Sequence, residues 1–210
     1  MRISIGILVC LILVIGICLA EPPRPSAIIC VGDNFDRDGP TLGSDWTMQN
    51  WAGDPYGPGN LIISLNQIVA NTNSPTYGVA FFNAANWGAN QYSQVTLNNL
   101  ATWAGPAVRV SNAGYYIALA NPNFYYIRFR TAVHGFDEFT DIASNVPHTF
   151  SPGDVVKLWV TGNVLKIYQN GNLIGTYTDT NNFLTTGSPG IFAWNDGNPA
   201  TISNWLACSN

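Results

Sequence analysis

The fold of this chain is decided by residues 153–178, GDVVKLWVTGNVLKIYQNGNLIGTYT. Three runs of alternating apolar residues are separated by Thr161-Gly162-Asn163 and by Asn170-Gly171-Asn172. An Asn-Gly step between such runs favours a two-residue hairpin, because both central residues of a type I′ turn need a positive φ. The stretch therefore predicts a meander of three antiparallel β-strands.

The same strand signal recurs along the chain from Ala27 onward. About fourteen short alternating runs are separated by Asn, Gly, Pro and Ser, and no stretch shows a sustained helical period. The run Leu61–Ala70 is interpreted as a single strand. So many strands without a helix predict an all-β, two-sheet antiparallel sandwich over residues 27–210.

Alternation within the runs separates a core face from a more polar face. In Ala107–Ser111, Val108 and Val110 share one face and Arg109 takes the other. The other residues expected to face the core are Trp46, Val95, Leu97, Tyr125, Ile127, Phe129, Val156, Leu158, Val160 and Trp205. The opposite faces of these strands carry Arg, Gln, Lys, Tyr and Trp.

The first twenty residues differ from the rest of the chain. Arg2 precedes an almost wholly apolar stretch that ends at Leu19-Ala20, so residues 1–20 predict a secretory signal peptide. An uncleaved membrane anchor is the alternative, because about 17 apolar residues is the lower limit for crossing a bilayer. Residues 21–26, EPPRPS, follow as a Pro-rich linker. We therefore expect a secreted protein, extracellular or at the cell surface, that touches a membrane only if the segment is retained.

Two of the four cysteines, Cys10 and Cys18, lie in that leader. The other two, Cys30 and Cys208, stand at opposite ends of the domain in an oxidising compartment, which predicts one disulfide. This bond requires the first and last strands to be neighbours, and two free buried thiols are the alternative. A disulfide that closes a loop of this length would stabilise the folded protein by about 4–5 kcal/mol in the chain-entropy model.

The charge of the chain excludes some partners. Removal of Arg2 leaves 12 acidic against 7 basic residues, a net charge of −5, which argues against nucleic acid because phosphate binding needs a basic surface. Charged residues make up only 10% of the chain, where about 25% is usual. Asn, Thr, Ser, Gln and Tyr replace them, which suits a surface that faces carbohydrate or simply an extracellular medium.

Three stretches together resemble the concanavalin A-like lectin/glucanase superfamily, the laminin-G-like jelly roll, in its bacterial secreted form. They are residues 33–46 (DNFDRDGPTLGSDW), residues 90–97 (NQYSQVTL) with 105–111 (GPAVRVS), and residues 153–177 with 187–191 (GSPGI). The resemblance covers nearly all of the chain after the leader and implies a jelly-roll sandwich. This fold hosts lectins, binding modules, hydrolases, lyases and adhesion domains.

The acidic residues of the chain argue against glycoside hydrolysis. Glycoside hydrolysis needs two carboxylates about 5–9.5 Å apart, which glucanases on this fold supply as Glu-x-Asp-x-x-Glu. The chain has only two glutamates, Glu21 and Glu138, and residues 137–141 (DEFTD) do not reproduce that motif. A polysaccharide lyase stays an alternative, since it needs a cation or amide to neutralise a uronate and a Tyr or His to move a proton. Residues of these types are Gln94, Arg109, Tyr126, Arg128, Arg130 and His134.

Non-catalytic carbohydrate binding needs no catalytic motif and is therefore the function that the sequence favours. Sugars are held by aromatic faces and by hydrogen-bonding side chains. The predicted ligand-binding residues are Trp87, Tyr92, Gln94, Arg109, Tyr116, Tyr126, Arg128 and Trp194, and Trp51, Tyr56 and Trp103 widen the aromatic set. We therefore expect a lectin-like domain for an extracellular or cell-wall glycan.

Two further expectations follow from the resemblance and the composition. Calcium is common in this superfamily, which makes Asp33, Asp36 and Asp196 candidate oxygen ligands of a structural ion, with turn formation as their alternative role. A structural surface or filament subunit, or an adhesin, is the other functional class, because low charge and exposed strand edges suit self-assembly.

Overall fold

The computed structural model describes residues 28–37, 39–49, 60–71, 76–131, 139–181 and 184–210. These residues form fifteen β-strands: β1 (Ile29–Asp33), β2 (Trp46–Met48), β3 (Leu61–Ser64), β4 (Gln67–Ala70), β5 (Thr76–Phe82), β6 (Gln91–Asn99), β7 (Ala104–Ser111), β8 (Gly114–Ala120), β9 (Phe124–Thr131), β10 (Phe139–Pro147), β11 (Val155–Thr161), β12 (Val164–Gln169), β13 (Asn172–Thr178), β14 (Ser188–Asn195) and β15 (Thr201–Ser209). None of the secondary structure in these ranges is a helix that could cross a bilayer.

The strands form two stacked antiparallel sheets. Sheet A has the order β13-β12-β11-β6-β15-β4-β3. β4 pairs with the first two residues of β15, and β1 pairs with the last five residues of β15 along the same edge. Sheet B has the order β10-β9-β8-β7-β14-β5-β2. The predicted all-β, two-sheet antiparallel jelly-roll sandwich is confirmed.

The core lies between the sheets and follows the predicted alternation. Val95 and Leu97 of sheet A and Ile127 and Phe129 of sheet B are buried in it. The residues that alternate with them, Gln94, Thr96, Tyr126 and Arg128, are more exposed. Both predicted core tryptophans lie there as well and meet edge to face, with 4.7 Å between the ring centroids of Trp46 and Trp205. Sheet B also buries a second apolar cluster on its outer face, which the alternation did not predict.

The prediction that Val108 and Val110 share a face is wrong. Val108 packs in the core between the sheets, whereas Val110 belongs to the cluster on the outer face of sheet B. Arg109 between them has φ 52°, and the register of β7 shifts there against both neighbouring strands. This β-bulge reverses the alternation, because the extra residue moves later side chains to the opposite face.

The hairpins of sheet A confirm one predicted turn and divide one predicted strand in two. In the 153–178 meander, Asn170 and Gly171 have φ 50° and 83°, the type I′ geometry that the sequence predicts. Leu61–Ala70 is not one strand but the pair β3 and β4, joined by Leu65 and Asn66 with φ 51° and 58°. The sequence signal was hidden because leucine rarely adopts a positive φ.

The disulfide is confirmed. Cys30 and Cys208 are bonded and lie directly opposite each other in the antiparallel pair of β1 and β15, with 4.1 Å between their Cα atoms. The first and last strands are therefore neighbours, as the bond requires.

Several predictions concern residues outside the described ranges. They include the signal peptide of residues 1–20 and the linker of residues 21–26. The same is true of Trp51, Tyr56, His134, Asp137 and Glu138. All of these stay predictions.

Candidate functional site

The eight predicted ligand-binding residues divide among different parts of the molecule. On the outer face of sheet B, Arg128 and Trp194 line a hollow of about 200 Å³, and Tyr126 packs behind it against Trp103 and Arg128. We call this hollow the sheet B depression. Its lining residues are Trp103, Leu119, Arg128, Phe139, Phe192, Trp194 and Asp196.

Strand pairing explains why these residues converge. Leu119 on β8 lies opposite Tyr126 on β9, and Arg128 on β9 lies opposite Asp141 on β10. Side chains of residues that are paired in this way project from the same face of the sheet. The depression therefore combines contributions from β8, β9, β10 and β14 that are far apart in the sequence.

Aromatic contacts hold the walls of the depression. The ring of Tyr77 is stacked on both Phe192 and Trp194, with 5.5 Å between centroids in each pair and interplanar angles of 12° and 15°. On the other wall Trp103 meets Tyr126 edge to face at 5.0 Å. Both indoles are half-buried, so part of each ring surface is fixed in place and open to solvent.

The charged groups of the depression are Arg128 and Asp196. The Arg128 guanidinium lies 4.1 Å from the ring centroid of Tyr126, and its Nε donates to a carboxylate oxygen of Asp141 at 2.5 Å. Its two terminal nitrogens have no hydrogen bond within the described ranges, and Asp196 is exposed. A donor and an acceptor are thus available beside the aromatic walls.

Tyr92 and Gln94 lie on the opposite side of the molecule, on the outer face of sheet A. They share this surface, which we call the sheet A platform, with Lys157, Trp159, Lys166 and Tyr168. The Lys157 ammonium lies 4.2 Å from the ring centroid of Tyr168 and 5.3 Å from that of Tyr92. Partial burial lowers the pKa of Lys157 below its ordinary value.

Arg109 and Tyr116 are buried between the sheets, with 2% and 1% of their surface exposed. The Arg109 guanidinium donates to the carbonyl oxygens of Leu184 at 2.7 Å and Ala89 at 2.9 Å, while the Tyr116 hydroxyl donates to the Asp179 carboxylate. Burial lowers the pKa of Arg109, and burial together with the Asp179 contact raises that of Tyr116. Because neither residue offers side-chain surface to an outside ligand, we leave both out of the proposed site.

Trp87 lies apart from both outer faces. Its indole nitrogen donates to the Phe82 carbonyl oxygen at 2.9 Å, and its ring packs edge to face on Phe82 and Trp205. These contacts give Trp87 a packing role at the margin of the core, and it too is left out of the proposed site.

The three aspartates proposed for calcium do not form one ligand set. Asp33 accepts hydrogen bonds from Arg37 at 2.7 and 2.8 Å and from the Trp46 indole at 2.9 Å. Partial burial alone would raise the pKa of Asp33, but these bonds outweigh it and lower the pKa. Asp196 belongs to the sheet B depression. No group of three His, Cys, Asp or Glu residues that could hold a metal occurs within the described ranges, so the calcium site stays a prediction without structural support.

Solved structures share this architecture. Carbohydrate binding module CBM66 from Bacillus subtilis is 16% identical, with 78% of this chain and 94% of that chain covered and a TM-score of 0.55. LamAcat from Zobellia galactanivorans is 10% identical, with 88% and 98% covered and a TM-score of 0.55. SCLam, a non-specific endo-beta-1,3(4)-glucanase from family GH16, is 11% identical, with 88% and 91% covered and a TM-score of 0.53.

These similarities establish the fold. The chain has the concanavalin A-like jelly-roll fold that the three sequence stretches predicted. No protein-family model and no curated protein matches the sequence. The similar structures include a binding module and an enzyme, so the choice between binding and catalysis depends on the site itself.

Proposed function

We propose that this chain is a secreted, non-catalytic domain that binds an extracellular or cell-wall glycan in the sheet B depression. The observation that carries the proposal is the half-exposed set Trp103, Phe139 and Trp194 around a hollow that also holds Arg128 and Asp196. Aromatic faces pack on the C–H surfaces of sugar rings, while a guanidinium and a carboxylate exchange hydrogen bonds with hydroxyl groups.

The size of the depression indicates how much sugar it would hold. At about 200 Å³ it is smaller than the ~300–1,000 Å³ of pockets for drug-sized ligands. We infer that one sugar residue or a chain end enters it, and that the rest of a longer glycan lies across the open sheet face.

Binding is favoured over hydrolysis by the supply of carboxylates. Hydrolysis needs two carboxyl groups with separate acid and base or nucleophile roles. Among the described residues at the depression, Asp141 is engaged by Arg128, which leaves Asp196 as the free carboxylate. The chain has only two glutamates: Glu21 belongs to the predicted linker, and Glu138 lies outside the described ranges in a stretch, residues 137–141, that does not reproduce the glucanase motif.

A glycan array probed with the full chain tests the proposal, with Trp194→Ala and Leu65→Ala as paired variants. Trp194→Ala removes a wall of the depression and should weaken binding to any captured glycan about tenfold or more. Leu65→Ala removes an apolar side chain that is 85% exposed at the β3–β4 turn, away from the depression, and should change nothing. Circular dichroism confirms that both variants fold.

Three results would contradict the proposal. Absence of binding to every glycan would favour the structural or adhesin class. Equal loss in both variants would move the site away from the depression. Release of reducing ends or of an ultraviolet-absorbing unsaturated uronate would replace binding by hydrolase or lyase activity.

Secretion is the remaining part of the proposal. The Cys30–Cys208 disulfide supports it, since such bonds persist in oxidising compartments. Mass spectrometry of the native N-terminus should show cleavage after Ala20, and an intact N-terminus would instead indicate a retained anchor.

A further inference from the structure

The sheet A platform concentrates the lysines of the chain on one aromatic surface. The sequence contains two lysines, Lys157 and Lys166, and both belong to the platform. Strand register sets its six side chains in two rows across three strands: Lys166, Trp159 and Tyr92 in one row, and Tyr168, Lys157 and Gln94 in the next. Along each of the three strands one ring therefore neighbours one polar group, and each row contains at least one ring and one lysine.

The two ammonium groups carry charge that no described carboxylate neutralises. Elsewhere in the described ranges Arg37 pairs with Asp33 and Arg128 with Asp141. Neither lysine has a carboxylate within 4.0 Å among the residues that the structure describes. The lowered pKa of Lys157 has burial as its cause, with no acidic group to offset it. This positive surface belongs to an acidic protein of net charge −4.

We infer that the sheet A platform is a second ligand site, separate from the sheet B depression, and that it binds an anionic carbohydrate. Trp159, which is 38% exposed, and Tyr168 supply surfaces on which sugar rings stack. The two ammonium groups form charge-assisted hydrogen bonds to carboxylate or sulfate substituents. The Gln94 amide adds a donor and an acceptor for hydroxyl groups.

An anionic membrane fits the platform less well. Polybasic segments that bind such membranes carry about 4–8 basic residues, each worth about 1 kcal/mol near the surface. The platform has two lysines, and its largest ring, Trp159, has less than half of its surface exposed. The charge available is therefore enough for one or two acidic sugar residues and too little for a lipid surface.

Titration calorimetry on the full chain tests this inference with polygalacturonate, dextran sulfate, neutral dextran and phosphatidylglycerol vesicles as probes. The first two distinguish carboxylate from sulfate, and we expect one or both to bind while dextran does not. Trp159→Ala should weaken that binding about tenfold. The double variant Lys157→Met, Lys166→Met should weaken it similarly and remove most of its dependence on salt. Trp194→Ala and Leu65→Ala should leave it unchanged.

The outcomes separate this inference from the proposed function. Loss in the platform variants with retention in Trp194→Ala supports the second site, whatever the sheet B depression binds. Loss in Trp194→Ala with retention in the platform variants overturns the second site and leaves the proposed function standing. Equal binding of neutral dextran, no binding of either anionic polymer, or binding only to phosphatidylglycerol vesicles also overturns it. The lysine variant keeps the test valid if Trp159→Ala fails to fold.

Discussion

At the scale of single residues, Arg109 shows how a residue type that suggests ligand binding can serve the fold. It is placed in the bulge of β7 with φ 52°, and its backbone amide donates to the Gln91 side chain at 3.1 Å instead of to a neighbouring strand. Its guanidinium satisfies the carbonyl oxygens of Ala89 and Leu184. One buried side chain thereby holds two connecting segments against the end of the sheet.

Replacement of Arg109 by methionine should destabilise the protein by about 2–4 kcal/mol, because the carbonyl oxygens of Ala89 and Leu184 would lose their donors. Urea unfolding followed by tryptophan fluorescence measures this. Arg128→Met is the control, since a half-exposed ion pair contributes only about 0–1 kcal/mol. An Arg109→Met protein of wild-type stability that no longer binds glycan would return Arg109 to the ligand site.

At the scale of strands, sequence patterns predicted elements well and their long-range partners poorly. The 153–178 meander and the core faces of β6, β9 and β11 followed from local alternation, because a strand with one buried face repeats every two residues. The bulge at Arg109 and the Leu65-Asn66 turn broke that rule, because Arg109 and Leu65 have positive φ values that their residue types rarely adopt.

Neither of the two proposed ligand surfaces could be assembled from the sequence alone. Lys166, Trp159 and Tyr92 form one row only because β11 pairs with both β12 and β6, and the β6 partner lies far away in the sequence. Phe139 was not predicted as a site residue because its role depends on the pairing of β10 with β9. Cross-strand register therefore carries the information that alternation lacks.

The disulfide between β1 and β15 should contribute to the stability of the fold. The disulfide spans 178 residues, and a crosslink over so long a loop removes much of the entropy of the unfolded chain. The double variant Cys30→Ser, Cys208→Ser should therefore lose about 3–5 kcal/mol of unfolding free energy. Reductant should lower the urea midpoint of the wild type to that of the variant and leave the midpoint of the variant unchanged. If reductant has no effect on the wild type, the bond does not stabilise the fold.

At the scale of the whole molecule, the two proposed sites face in opposite directions. Tyr92 and Lys157 alternate with core residues of sheet A, whereas Tyr126 and Arg128 alternate with core residues of sheet B. The sheets of a sandwich pack about 10 Å apart, and the ligand surfaces lie on their outer sides. A single short glycan therefore cannot occupy both sites, but two polymer chains can be held by one protein molecule.

Bridging of polymers is the consequence to measure. If both sites bind their ligands, a mixture of the monomeric protein, polygalacturonate and the glycan captured on the array should form large particles. The particle size from dynamic light scattering should exceed that of the protein mixed with either polymer alone. Trp159→Ala and Trp194→Ala should each keep one binding event and lose the increase, because a protein with one site can only coat a polymer. Size-exclusion chromatography with light scattering must first show that the free protein is a monomer. An increase that survives either substitution would mean that protein self-association joins the chains, which would favour the assembly role that exposed strand edges allow.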